Sequence, residues 1–169
     1  MGSVTLRRII AAHDTCAIDN LMEDKFNLQR SVDAQRDEID GVRAELIQGR
    51  KHGHWMWFVF PQLRGLGHSW MANHYGISGR GEAAAYLGHP ILGPRLIECT
   101  QLVNRVEGHP IEQILGGVDS LKFRSSMTLF ATVDTNTPEF TTALATYFAS
   151  EPDLLTIDLL KKADSSQEP

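Results

Sequence analysis

Long apolar runs are missing from this chain. The longest, Trp55 to Phe60, has six residues, against about 18 for a membrane span and about 7 to 15 for the core of a signal peptide. Neither spanning nor secretion is expected. Cysteine is scarce as well: Cys16 and Cys99 are the only two, and they form no CxxC pair. They suggest neither a disulfide framework nor a thiolate metal site, and a reducing, cytoplasmic location fits best. There is no excess of positive charge. Sixteen basic against 21 acidic side chains leave a formal charge of -5, which offers no bulk attraction to a phosphate backbone or an anionic bilayer. Duplex nucleic acid and membranes are therefore not expected partners, and protein partners stay unspecified.

Catalytic signatures are absent too. No GxSxG elbow, GxGxxG turn, GxxxxGK[ST] loop or HExxH pair occurs, which disfavours the nucleophile-elbow, Rossmann, P-loop and zincin chemistries. No cofactor and no metal are expected. His52 and His54 could begin a metal site with His68 or His74, but their spacing matches no ligand pattern. No repeat of 20 to 50 residues is visible. The opening MGSVTLRRIIAAH is basic and free of acids, as a transit peptide would be, but Asp14, Asp19, Glu23 and Asp24 follow at once. Leu6 stands where a myristoylation signal needs Ser or Thr.

What is present is the composition of a single globular domain. At 169 residues, with 42% apolar and 22% charged side chains, the chain can bury about two thirds of its unfolded surface without staples. The pattern is helical almost throughout, and an all-α, compact multihelical domain of about seven to eight short helices is predicted. Leu28 and Val32 share a first stripe; Ile39, Val42 and Leu46 mark a second that ends at Gly49. Gly65 and Gly67 punctuate a loop. Glu82 to Leu87 reads as a short Ala-rich helix closed by Gly88. Leu92, Leu96, Cys99, Val103 and Val106 then recur on one face. Pro110 starts a short helix stopped by Gly116-Gly117, and Asp119 is expected to cap the next, through Ala131. Thr137-Pro138 precedes Phe140, Leu144 and Phe148; Asp153 is expected to cap a last helix carrying Leu155 and Leu159. HWMWFVFPQL fits a buried strand or a buried helical turn, and the helical turn is preferred.

Four separate blocks carry a resemblance: FNLQRSVDAQ at 26 to 35, ELIQGRKHGHWMWFVFPQLRGLG at 45 to 67, YLGHPILGPRLIECT at 86 to 100, and DSLKFRSSMTLF at 119 to 130. On these the chain is identified as a member of the domain of unknown function 1810 family, from residue 24 to about residue 160. Residues 1 to 23 form an extension outside the family pattern, and residues 161 to 169 read as a flexible tail. Lys25 stands where the family usually has proline, Ser31 where an aromatic is usual, and GRGEA at 79 to 83 replaces a more acidic turn. The resemblance implies a compact all-helical domain and no established activity. Members sometimes carry the inherited label calpastatin, which implies a calpain inhibitor. An inhibitor of that kind is long, flexible and repeat-bearing, whereas this chain has a core and no repeats.

Several polar residues sit where a bland helical core would not want them. Arg95 falls inside the arc of Leu92, Leu96, Cys99, Leu102, Val103 and Val106, and a guanidinium there needs a carboxylate, a carbonyl or a bound anion. Lys122 and Ser126, one turn apart among Phe123, Met127, Leu129 and Phe130, suit a phosphate cradle or a buried ion pair with Asp33 or Glu98. Lys51, His52, His54, Trp55, Trp57 and Gln62 mix planar faces, donors and a group that titrates near neutrality, although a Trp pair in such a run also suits a core. Arg30 and Asp33, three apart, are expected to pair on a helix surface, while Gln35 falls on the Leu28 and Val32 stripe.

Two functions of different class follow from the residues, beside the calpain inhibitor that the label implies, for which only residues 1 to 23 could supply an extended segment. The first is a binder or hydrolase of a small phosphate-bearing, purine-like ligand. Arg95 and Lys122 would take phosphate, Trp55 or Trp57 the base, with Arg30, Gln35, Lys51, Gln62 and Ser126 as further contacts. Asp33, Glu98 and His54 are the candidate catalytic groups, with Asp33 or Glu98 activating water at an N-glycosidic or ADP-ribosyl bond. That reaction follows a likeness of fold class, not of motif, to the helical NADAR domains. The second is a non-enzymatic interaction module whose embedded charges only lock helix packing.

Overall fold

A computed structural model describes residues 24 to 165; the basic opening and the extension, residues 1 to 23, lie outside the described residues. Among the described residues ten helices follow one another: α1 (Gln29–Arg36), α2 (Ile39–Ile47), α3 (Met56–Val59), α4 (Trp70–Tyr75), α5 (Arg80–Gly88), α6 (Leu92–Asn104), α7 (Ile111–Leu115), α8 (Gly117–Val133), α9 (Pro138–Phe148) and α10 (Leu154–Ser165). The count exceeds the seven to eight expected: the helical turn at 55 to 60 and the short helix after Pro110 are present as α3 and α7, and α4 is an additional helix too short for periodicity to register. Among the described residues there is no strand, only one parallel backbone bridge between Leu63 and Ile77. No helix among them is long and apolar enough to cross a membrane.

Helix α8 is the centre. From Phe123 to Phe130 every residue except Arg124 is buried, and α5, α7, α9, α10 and α3 all pack against it. A helix enclosed on nearly all sides shows no strong apolar stripe, and here Ser125, Ser126 and Thr128 are buried along with Phe123, Met127, Leu129 and Phe130. Helix α6 is the opposite case. Its Leu92, Leu96, Cys99 and Val103 are fully buried against α2, α5 and α9, as their spacing predicts. The apolar run at 55 to 60 does form a helical turn, α3. It stops at Phe60 (φ -120, ψ 71), because the proline at 61 disfavours helical geometry in the residue before it.

The ends of the helices correct three expectations. Asp119 does not cap α8: the helix begins two residues earlier, at Gly117, with Gly116 at φ +90 as its N-cap, a conformation glycine adopts without penalty. Asp119 is thereby left in the first turn with its carboxylate free for tertiary partners. Thr137 makes no capping bond, because its hydroxyl donates to Asp134 instead, although Pro138 does occupy the first turn of α9. Asp153 behaves as expected, its Oδ2 accepting the Thr156 N–H at 3.1 Å. Yet Leu155 is 66% exposed. Asp153 is tied to α8 through Ser125 and Thr128, which turns Thr156 and Leu160 inward and Leu155 out. Helix α10 continues to Ser165, into the segment read as tail.

Candidate functional site

Asp119 gathers more of the expected site residues than any other side chain. Its Oδ1 accepts from Lys122 Nζ at 2.8 Å and its Oδ2 meets Lys51 Nζ at 2.7 Å. Lys122 lies one turn along α8. Lys51 comes from the loop after α2, where its backbone N–H is held by the Ile114 carbonyl at 2.7 Å, at the end of α7. Each ammonium also rests on an indole, Lys51 at 5.1 Å from the Trp55 ring centre and Lys122 at 4.3 Å from that of Trp57. Trp55 is core, 1% exposed, with Nε1 donating to Glu45 at 2.8 Å. Trp57 is only half-buried. Glu45 also accepts the backbone N–H groups of His52 and Gly53, which fixes the loop that delivers Lys51.

Burial alone would raise the carboxyls of Asp119 and Glu45. Hydrogen bonds from Lys122 and Lys51 outweigh it for Asp119, and those from His52, Gly53 and Trp55 outweigh it for Glu45, so both sit below the ordinary carboxylate value. Lys51 is fully engaged: Asp119, the Gly53 carbonyl at 2.5 Å and the Trp55 face. Among the described residues Lys122 has Asp119 and a ring face only, and keeps N–H donors in hand at a side-chain exposure of 20%. One turn further, the Ser126 hydroxyl is completely buried and has no hydrogen-bond partner among the described residues.

A second gathering joins Gln35 and Arg95. Gln35 is 1% exposed, and its Nε2 donates to the Phe58 carbonyl at 2.6 Å and to the Tyr86 hydroxyl at 3.1 Å. Its Oε1 accepts from Arg95 Nη1 at 3.3 Å. This explains the amide on an apolar stripe: it satisfies a carbonyl at the heart of α3 that would otherwise be buried with fewer partners.

The remaining candidates are dispersed. Arg30 does not pair with Asp33. Its Nη2 meets Glu82 at 2.5 Å, and its other nitrogens donate to the carbonyls of His74, Phe26 and Asn27. Asp33 pairs with Arg36 on the surface. Spacing could not decide, since Asp33 is three residues from both arginines; the buried acceptors around Arg30 do. Glu98 is held by Arg43, and neither Asp33 nor Glu98 bonds to Lys122. His54 is exposed, and Gln62 is buried with its backbone pairing to Ile77. Among the described residues no cluster of three or more His, Cys, Asp or Glu could hold a metal.

Sequence reasoning missed Glu45, Glu82 and the bridging role of Asp119. For Asp119 a signal existed, its i,i+3 spacing to Lys122. For Glu45 and Glu82 there was none, because their partners come from other elements. Clefts open around the C-terminal end of α6, among them one of about 540 Å³ beside Glu107, His109 and Glu112, and one of about 420 Å³ beside Gly49 and Arg105. None of the candidate residues lines either.

Fold and site together define a small all-helical domain whose embedded charges are largely paired, with one lysine–indole corner left partly open. The chain belongs to the family described as "Protein of unknown function (DUF1810)", matched over residues 25–160. It is similar to the conserved hypothetical protein Rv1873 from Mycobacterium tuberculosis, whose crystal structure shares 54% identity and a TM-score of 0.81, over 82% of this chain and 99% of that one. No curated protein matches the chain.

Proposed function

We propose that the protein binds a small phosphate-bearing, nucleotide-like ligand at the corner of Lys51, Trp57, Asp119 and Lys122. One observation carries the reading: Lys122 keeps unengaged donors over a half-buried indole, one turn from the buried, unpartnered hydroxyl of Ser126. An orphaned buried hydroxyl costs about 1 to 3 kcal/mol, which marks Ser126 as a polar group that the helix packing alone does not satisfy. The lysines and Asp119 sum to one positive charge, and the exposed part of Trp57 suits a planar group. The cleft of about 540 Å³ at the end of α6 suits a phosphate poorly, since Glu107 and Glu112 would repel it. Hydrolysis has less support than binding, because Asp33 is held by Arg36 of its own helix and Glu98 by Arg43 of α2, and neither bonds to the lysines of the corner.

A thermal-shift screen against nucleotides, NAD and ADP-ribose tests it. Ligand at about 100 times its dissociation constant adds about 2.7 kcal/mol, several degrees for a domain of this size. The expected result is a shift that disappears in Lys122→Ala and Trp57→Ala variants that remain folded. A flat screen, or a shift that both variants keep, overturns the reading.

The interaction-module alternative is favoured by a different observation, the internal pairing of Arg30 with Glu82, Arg43 with Glu98 and Lys51 with Asp119. On that reading Lys122→Met changes stability alone.

A further inference from the structure

Five arginines among the described residues are partly buried: Arg30, Arg43, Arg80, Arg95 and Arg124. Four of them meet a carboxylate, Arg30 with Glu82, Arg43 with Glu98, Arg80 with Asp164 and Arg124 with Glu151. Arg95 meets none among the described residues. Its hydrogen bond is the 3.3 Å contact from Nη1 to Gln35 Oε1, a neutral acceptor at the long end of the range. A guanidinium carries five donors in a planar fork matched to an oxyanion, and here most of that fork is unengaged.

Among the described residues no carboxylate is left to answer Arg95. Glu98, one turn along the same helix, accepts three hydrogen bonds from Arg43. Burial pushes the Cys99 thiol up to about 12, and burial also raises the Tyr86 hydroxyl, so both stay neutral. The one partner Arg95 has among the described residues is itself fixed by other hydrogen bonds. The Gln35 carboxamide must turn its nitrogen to the Phe58 carbonyl, which also accepts from the Tyr86 hydroxyl at 2.9 Å, and this leaves Oε1 for the guanidinium. A fully buried amide thus holds a half-buried cation in place and leaves its charge unanswered.

We infer that Arg95, oriented by Gln35, is the recognition point for an oxyanion, phosphate or carboxylate, carried by a small ligand. This goes beyond the lysine–indole corner, because Arg95 reaches α3 from α6 through Gln35 and Phe58, whereas Lys122 reaches it from α8 through Trp57.

The test is NMR of the arginine Nε–H signals in the full-length ¹⁵N-labelled chain, titrated with inorganic phosphate and, separately, with acetate at constant ionic strength. The Arg95 signal is assigned through Arg95→Lys, or by triple-resonance methods should that variant not fold. Arg95 is expected to shift saturably with one of the two anions, at a midpoint at least about tenfold below that of the exposed Arg64 and Arg105; the anion that saturates names the chemistry. Gln35→Leu should weaken the response, and Lys122→Ala should leave it intact, which separates this inference from the reading above. A non-saturating shift in step with Arg64 and Arg105 overturns it as bulk screening. A shift of the Arg95 signal in Asp14→Asn/Asp19→Asn/Glu23→Gln without added anion also overturns it, by assigning the partner to the chain's own residues 1 to 23.

Discussion

Arg30 and Glu82 close an ion pair across 52 positions of sequence, Nη2 to Oε1 at 2.5 Å, with side chains only 8% and 3% exposed. The pair ties the first helix to the start of α5, and Glu82 Oε2 also accepts the Ser78 N–H at 2.8 Å. Arg30→Ala strands a buried carboxylate and frees the carbonyls of His74 and Phe26. Loss of about 3 to 5 kcal/mol is expected, read from urea unfolding, while Arg30→Met/Glu82→Leu should recover much of it. A single variant no less stable than the double one contradicts this.

Asp119 makes stability depend on acid. Its folded-state pKa lies below the ordinary value despite burial, because Lys122 and Lys51 hold the charged form. The unfolded chain therefore binds more protons between the two values. The contribution is complete above about pH 4, the unfolded value, and is lost as pH falls through the lower folded one. Asp119→Asn should cost about 1.5 to 3 kcal/mol at pH 7 and progressively less below pH 4. Urea midpoints of both proteins at pH 7 and pH 3 give the comparison; an unchanged difference sinks the assignment.

Cys99 is a core residue, not a reactive one. It is fully buried on α6, and burial, with Glu98 adding to it, pushes its thiol up to about 12. In a Cys16→Ser chain, Ellman's reagent at pH 8 should find no accessible thiol in the native protein and one after unfolding. Rapid native labelling would contradict this.

Much of the fold was legible because its signals are local. Leu92, Leu96, Cys99 and Val103 share an arc that the backbone geometry alone predicts, and Pro138 and Asp153 sit where helix starts need them. Of the short helices, α7 was marked by Pro110 and Gly116-Gly117 and α3 by the apolar run before a proline, whereas α4 was missed, since six residues carry no period. The candidate site was legible in its residue types and not in its partnerships. Lys51, Trp55, Trp57 and Lys122 do converge, but the carboxylate that joins the lysines is Asp119, which its position before a helical run marked as a cap. Asp33 and Glu98 were offered as partners for Lys122 and instead belong to arginines on neighbouring turns or helices. Which of several equally spaced charges pair is decided by tertiary acceptors that spacing does not encode.

The same substitution should act with opposite sign at two helical glycines. At Gly41, inside α2, an added methyl meets nothing within 4 Å. Alanine there should stabilise by up to about 1 kcal/mol, because it narrows the unfolded ensemble and favours helix. At Gly93, in the first turn of α6, the added carbon would lie 1.9 Å from the Leu87 carbonyl oxygen and 2.9 Å from its carbon. Both are backbone atoms, so no rotamer change can relieve the clash and the α5–α6 junction itself must move. Gly93→Ala should therefore lose well over the roughly 1 kcal/mol of an ordinary substitution, despite the same gain in helix propensity. Equal and favourable effects at both positions, measured by urea unfolding, would mean that the two helices do not approach as closely as the Leu87 carbonyl places them.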